Sequence, residues 1–290
     1  MKKSLRGKLT KAAAIVVVAA ACGATCVSLS GCAKTQSYVG EMHYNQWAEY
    51  GIKVSVEVQT DKKGDRIRKV SVLDSDYVEA SDAMNGWDPK VWNDNRQTLL
   101  NAYRGLYVAD VLALEVVTDS VGAPVGKTDE NFSDFGSNLI ITDSTVGSGR
   151  LLIAVQNALS QADGYKVVEG EYGYPNPWGG QGYGAKVRVV LKDNVIKKVV
   201  TLKSEYTNAT PSWDTALWYN EADRILAAYE GRTVEEITDL EVAKKADGSP
   251  LVKEDGGFSD FGSEFLATDA TMSSARLMLA VQNALSKVNG

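Results

Sequence analysis

Histidine and cysteine are almost missing from this chain of 290 residues, which has one histidine, His43, and three cysteines, Cys22, Cys26 and Cys32. A single imidazole cannot build a histidine-based metal centre or a duplicated Ser-His catalytic pair, and we read His43 as a surface residue. All three cysteines fall within the first 32 residues, so neither a disulfide framework nor a thiolate metal site can organise the rest of the chain. We therefore expect no metal ligands and no nucleophile-base pair, hence no catalytic residue. Long apolar runs are also scarce. The one candidate, Ala12 to Val27, is too short and too alanine-rich for a good membrane span.

Ahead of that run stand Lys2, Lys3, Arg6, Lys8 and Lys11, and after it comes Leu29-Ser30-Gly31-Cys32. A basic segment, an apolar segment and small residues in that order make a secretory leader over residues 1–31. The tetrapeptide resembles a bacterial lipobox. The resemblance implies cleavage before Cys32 and a diacylglycerol on its thiol. The chain would then sit on the extracytoplasmic face of the cell membrane, anchored but not spanning, with residues 32–37 as a polar tether. The alternative is an ordinary secretory signal cut elsewhere. Without residues 1–31 the basic count falls from 31 to 26 against 37 acids, a net charge of -11. So acidic a protein is a poor partner for nucleic acid or anionic lipid.

The remainder is written twice. Aligning Gly86–Ser160 with Ser212–Ser286 at an offset of 126 gives 34 identities in 75 columns with no gap. FSDFGSNLIITDSTVGSGRLLIAVQNALS, from Phe132, returns as FSDFGSEFLATDATMSSARLMLAVQNALS, from Phe258. A period of 126 is too long for a solenoid, so we expect two tandem homologous domains, 38–161 and 162–290. In each, alternating segments read as a hairpin: Ile52–Val58 with Ile67–Leu73, then Ala185–Leu191 with Val195–Leu202 around Asp193-Asn194. The Gly-rich loop from Pro175 to Gly184 lacks the Lys-Ser/Thr of a phosphate loop and reads as a turn insertion. Helical patterns cover Asn93–Tyr103 and Asn220–Tyr229, with Gly105 and Gly231 as stops. Leu151, Val155 and Leu159, and likewise Leu277, Val281 and Leu285, mark the apolar face of a later helix. The expected fold class is α+β, each domain a curved antiparallel sheet packed with helices.

Before that later helix, hydroxyls and an acid crowd together: Thr142, Asp143, Ser144, Thr145 and Ser148 in the first copy, Thr268, Asp269, Thr271 and Ser274 in the second. Capping of the helix start explains one such residue, at about 1 kcal/mol. A helix start is also an anion site, because unpaired N–H groups and the positive end of the dipole converge there. Arg150 and Arg276 follow closely, and their partner is either Asp143 or Asp269, or a phosphate bound at the turn.

ATDATMSSARLMLAVQNAL and its twin ITDSTVGSGRLLIAVQNAL resemble the flavin-attachment segment of the FMN-binding domain family. That segment runs close to Ser-Gly-Ala-Thr-x-Thr/Ser-Ser, followed by a helix ending Ala-Val-x-x-Ala-Leu. The family includes covalently flavinylated subunits of sodium-pumping quinone reductases and flavinylated surface lipoproteins. The resemblance implies FMN joined by a phosphoester to Thr271 and Thr145, with Ser274 and Ser148 at the serine that follows. It also implies a flavin transferase using FAD and Mg2+ for maturation, and redox partners in the envelope. This chain departs from the pattern at Asp269 and Asp143, where the family has glycine, at Ser144, where it has alanine, and at Phe265 and Leu139, where it has aspartate. Trp87, Trp92, Tyr103, Phe132 and Phe135, with Trp213, Trp218, Tyr229, Phe258 and Phe261, are candidates for a flavin wall.

The leading expectation is a lipid-anchored flavoprotein that relays electrons, a carrier more than an enzyme with its own substrate. The alternative is a lipoprotein module that binds FMN non-covalently, or another ligand or partner, without a redox role. A hydrolase using the Ser/Thr-rich turn lacks a histidine or lysine base in either copy.

Overall fold

Alternation of apolar and polar residues builds two three-stranded antiparallel sheets. In the computed structural model, residues 34–45, 49–74, 89–174, 183–202, 215–267 and 270–288 are described. In strand β2 (Glu49–Asp61), Ile52, Val54, Val56 and Val58 turn to one side and are buried. It is flanked antiparallel by β1 (Lys34–Asn45) and β3 (Gly64–Asp74). The second sheet has the same order, β4 (Tyr165–Tyr174), β5 (Tyr183–Lys192) and β6 (Val195–Thr201). Each outer hairpin carries a register shift, at Glu57/Val58 and at Val190/Leu191, which bends the strand and strengthens its twist. Asp193 and Asn194 take φ of 53° and 63°, the left-handed turn expected of that pair.

One correction concerns the tether. Lys34 to Tyr38 lie in β1, paired with Val56 to Thr60, and do not form a free linker. The segment reads as polar because β1 is an edge strand with one buried face, and Gly40 stands where alternation would place a large apolar residue. The cause is contact with the helix behind. A Cβ on Gly40 would lie 2.2 Å from the Ala154 carbonyl oxygen and 2.3 Å from the Ala158 nitrogen. Gly170 in β4 stands in the same relation to Ala280 and Ala284, at 2.2 and 2.3 Å. Those alanines belong to α3 (Thr145–Leu159) and α6 (Thr271–Ser286), which lie across β1–β2 and β4–β5. Leu151, Val155, Leu159, Leu277, Val281 and Leu285 are all buried, as their spacing predicts.

The expected helices are α1 (Pro89–Ala102) and α4 (Thr215–Ala228). Gly105 and Gly231, at φ of 87° and 86°, turn the chain back so that their N–H groups donate to the Ile67 and Ile196 carbonyls, at 2.7 and 2.8 Å. Two short helices escaped the periodicity, α2 (Val108–Ala113) and α5 (Val234–Thr238). The second carries a readable signature, since Thr233 and Glu236 form a capping box. The Gln-Asn of the duplicated helix is scaffold. Gln156 Nε2 donates to the Val111 and Leu114 carbonyls, and Gln282 Nε2 to those of Ile237 and Leu240, all at 2.7 to 2.9 Å.

Residues Ala33–Gly290 form one unit with two hydrophobic clusters. The clusters meet where α2 lies against β5 and β6, and Val190 belongs to the first cluster although its strand belongs to the second sheet. Around that contact Arg188 bonds the Leu114 carbonyl and Glu169, and Lys198 reaches Glu230 at 2.9 Å and Asp110 at 3.7 Å.

Candidate functional site

The duplicated FSDFGS segment shapes the approach to each helix start. Asp134 Oδ1 and Asp260 Oδ1 accept from the N–H of Gly136 and Gly262, at 2.9 and 2.8 Å. Those glycines sit at φ of 107° and 108°, where a side chain is strained. The bend buries Phe135 and Phe261 and leads through a single 3-10 turn into the hydroxyl-rich segment.

Helix α3 opens at Thr145 and α6 at Thr271, and at neither start does the preceding residue, Ser144 or Ala270, cap the first turn with its side chain. The expected hydroxyl cap is therefore not what these residues provide. Ser148 Oγ donates to the Ser144 carbonyl at 2.8 Å and accepts from the Ile141 N–H at 2.9 Å. Ser274 Oγ does the same with Ala270 and Ala267, at 3.0 and 2.9 Å. Both serines are fully buried and lock the turn from behind. Thr142 and Asp143 are exposed in front of it. Thr268 and Asp269 lie outside the described residues, as do Cys32, the leader, Trp87 and Trp213. Arg150 and Arg276 are buried one turn further on, in the second turn of their helices, and the Arg150 guanidinium lies 5.9 Å from the centre of the Trp92 ring.

The two threonines differ. Thr145 is buried, and its Oγ accepts the Lys127 backbone N–H at 3.1 Å. Thr271 is also buried, 8 % exposed against 1 % for Thr145, but no hydrogen bond among the described residues engages its hydroxyl. Lys127 and Gly149 belong to no motif that marks them as part of the site. A Cβ on Gly149 would stand 2.8 Å from Pro124 Cβ, and one on Gly147 would stand 2.9 Å from the Trp92 ring. In the second copy these positions are Ala275 and Ser273, and that difference was open to view in the alignment.

The aromatic residues divide. Trp92, Tyr103, Tyr229, Phe135 and Phe261 are core, whereas Phe132 and Phe258 are half-buried beside the turns. Burial raises the Tyr103 and Tyr229 phenols far above their ordinary range, so both remain neutral. The Trp218 side chain is outside the described residues. A separate cavity of about 510 Å3 opens where the two sheets meet, lined among others by Asp65, Tyr107, Tyr165, Lys192 and Lys197.

No family model, no curated protein and no solved structure matches the chain.

Proposed function

We propose that the chain is two copies of one FMN-binding-type domain, 34–161 and 162–288, fused at the contact of α2 with the second sheet. In this reading it is held at the extracytoplasmic membrane face through a lipid on Cys32, and relays electrons between a membrane donor and an external acceptor. The observation that carries the reading is the start of α6. Thr271 stands first in the helix, no hydrogen bond among the described residues engages its hydroxyl, and Ala270 before it has no side-chain group to cap the amides of the first turn. First-turn amides that the residue before them does not cap, and the positive end of a sixteen-residue helix, favour a phosphate ester at that oxygen. Arg276, buried one turn away, adds positive charge, and Ser274 holds the turn in shape.

Loading is a phosphoryl transfer from FAD. The Thr271 oxygen forms a bond to the FMN phosphorus, the pyrophosphate P–O bond breaks, and AMP departs. The hydroxyl proton passes to a base of the flavin transferase, and no redox state changes. Once bound, the flavin supplies the electron chemistry and the protein supplies its position and surroundings. Co-expression with a flavin transferase, followed by a denaturing gel viewed for flavin fluorescence, tests the reading. The expected band is fluorescent and turns dark in Thr145→Ala/Thr271→Ala, whereas a colourless wild-type chain overturns it.

The cavity between the sheets favours a second reading, a ligand-binding lipoprotein module with no redox role. Flavin released on denaturation, or a bound envelope component in place of flavin, would support that reading instead.

A further inference from the structure

The two helix starts share their backbone shape, their locking serine and their threonine, so a local cause must explain why one hydroxyl is engaged and the other is open. The loop that crosses in front of each start is itself the same. Asp119 N–H donates to the Ala123 carbonyl and Val125 N–H to that of Val117, at 2.8 and 3.0 Å. Lys245 to Ser249 and Leu251 to Ala243 repeat these bonds at 2.8 and 2.9 Å. The loops are therefore equivalent in their backbone bonds, and Pro124, which packs beside Gly149, and its counterpart Pro250 are both buried.

What differs is the helix surface beneath them. At Gly149 the missing methyl lets Pro124 settle where a Cβ would lie 2.8 Å from it, and the loop continues into the Lys127 N–H that closes on Thr145. Ala275 carries that methyl in the second copy, and no hydrogen bond among the described residues joins the N–H of Lys253, the counterpart of Lys127, to Thr271. Gly147 allows the same closure from the other side by Trp92, and Ser273 occupies its position in the second copy.

We propose that the residue at 149 and 275 selects the flavin acceptor: glycine shuts Thr145, alanine keeps Thr271 open, and the chain carries one flavin, at Thr271. The proposal rests on the flavin reading above. The transfer step is the one already given, with FAD as donor and AMP as leaving group.

Two measurements test it. The first is the intact mass of the full chain purified after co-expression with a flavin transferase. One FMN increment is expected in the wild type, kept in Thr145→Ala and lost in Thr271→Ala. Gly149→Ala is expected to gain a second increment, and Ala275→Gly to lose the first. The Ala275→Gly change removes a methyl and introduces no clash, so it remains informative if Gly149→Ala fails to fold. The second is amide exchange by NMR on the chain made without the transferase, where Lys127 N–H is expected to be protected and Lys253 N–H to exchange freely. In Ala275→Gly the Lys253 amide should become protected. Two increments in the wild type, a single increment retained in Thr271→Ala, or equal protection of the two lysine amides overturns the proposal while leaving the flavin reading standing. No increment in any variant overturns both.

Discussion

Asp65, at the start of β3, and Lys192, at the end of β5, form an ion pair that bridges the two sheets, with the carboxylate almost wholly buried. Burial alone would raise the Asp65 pKa. The hydrogen bond from Lys192, aided by Thr60 and Tyr165, outweighs it and holds the carboxyl below its ordinary range. A group with a depressed folded pKa contributes stability that is complete above its unfolded pKa, about 3.9, and is lost as pH falls through the lower folded value.

The pair therefore makes an acid-sensitive clamp. Lys192→Met leaves a buried carboxylate without its cation and should cost about 3 kcal/mol in urea unfolding at neutral pH. Asp65→Asn/Lys192→Met should recover part of that loss. It should also lose less stability than the wild type between about pH 5 and pH 3. An Asp65→Asn/Lys192→Met chain with an unchanged acid profile would rule out Asp65 as the source.

Gly40→Ala and Gly170→Ala should be among the most damaging single methyl additions in the molecule. Each new Cβ would sit near 2.2 Å from a helix carbonyl, and backbone on both sides must move to admit it. Overpacking of this kind costs about 3 kcal/mol. The two variants should suffer equally, because the contacts agree to within 0.1 Å in the two copies. Thermal unfolding of each reads the effect, and a variant that melts with the wild type would disprove the close approach.

How far the sequence could be read follows from which forces leave a periodic trace. The central hairpins were legible because Val54, Val56, Val187 and Val189 alternate with polar neighbours. Strands β1 and β4 were not, since their inward positions include Gly40 and Gly170, chosen by helix contact and not by hydrophobicity. The hydroxyl-rich turn was found, yet its serines proved to be locks, because a hydrogen bond from Ile141 to Ser148 across seven residues has no linear signature. The residues that distinguish the two threonines lie in a loop eighteen or more positions upstream and on the next helical turn, so only packing reveals them.

Gln156 and Gln282 make matching bonds, but their loss should not cost the same. Gln156 holds the end of α2, which also supports the second sheet, whereas Gln282 holds α5, whose Glu235, Glu236 and Thr238 face solvent. Each alanine variant removes two hydrogen bonds, at about 1 kcal/mol apiece, although the Val111 and Leu114 carbonyls keep the Leu114 N–H and Arg188 Nη1 as donors and the Ile237 carbonyl keeps the Leu240 N–H. Gln156→Ala should exceed Gln282→Ala by the part of the α2 contact it loosens, and equilibrium unfolding of the two single variants measures the difference.

The same asymmetry between α2 and α5 explains why α2, and not α5, packs against the neighbouring sheet. Ala109, Leu112 and Ala113 of α2 correspond to Glu235, Thr238 and Asp239 at α5, and Val190 and Val200 of the second sheet correspond to Glu57 and Ser71 of the first. Apolar residues occur where α2 meets β5 and β6, and polar residues occupy the equivalent free surfaces. Giving the junction the free-surface residues should therefore undo it. Val190→Glu puts a carboxylate into a fully buried apolar site, at a cost of several kcal/mol, and Leu112→Thr adds an unpaired hydroxyl. The wild type should unfold in one calorimetric transition and Val190→Glu/Leu112→Thr in two, because each sheet keeps its own helix, α3 or α6, and its own cluster. Limited proteolysis should then cut the double variant near residues 160–164, between α3 and β4. A double variant that still melts in a single step would show that the α2 contact is not what couples the two cores.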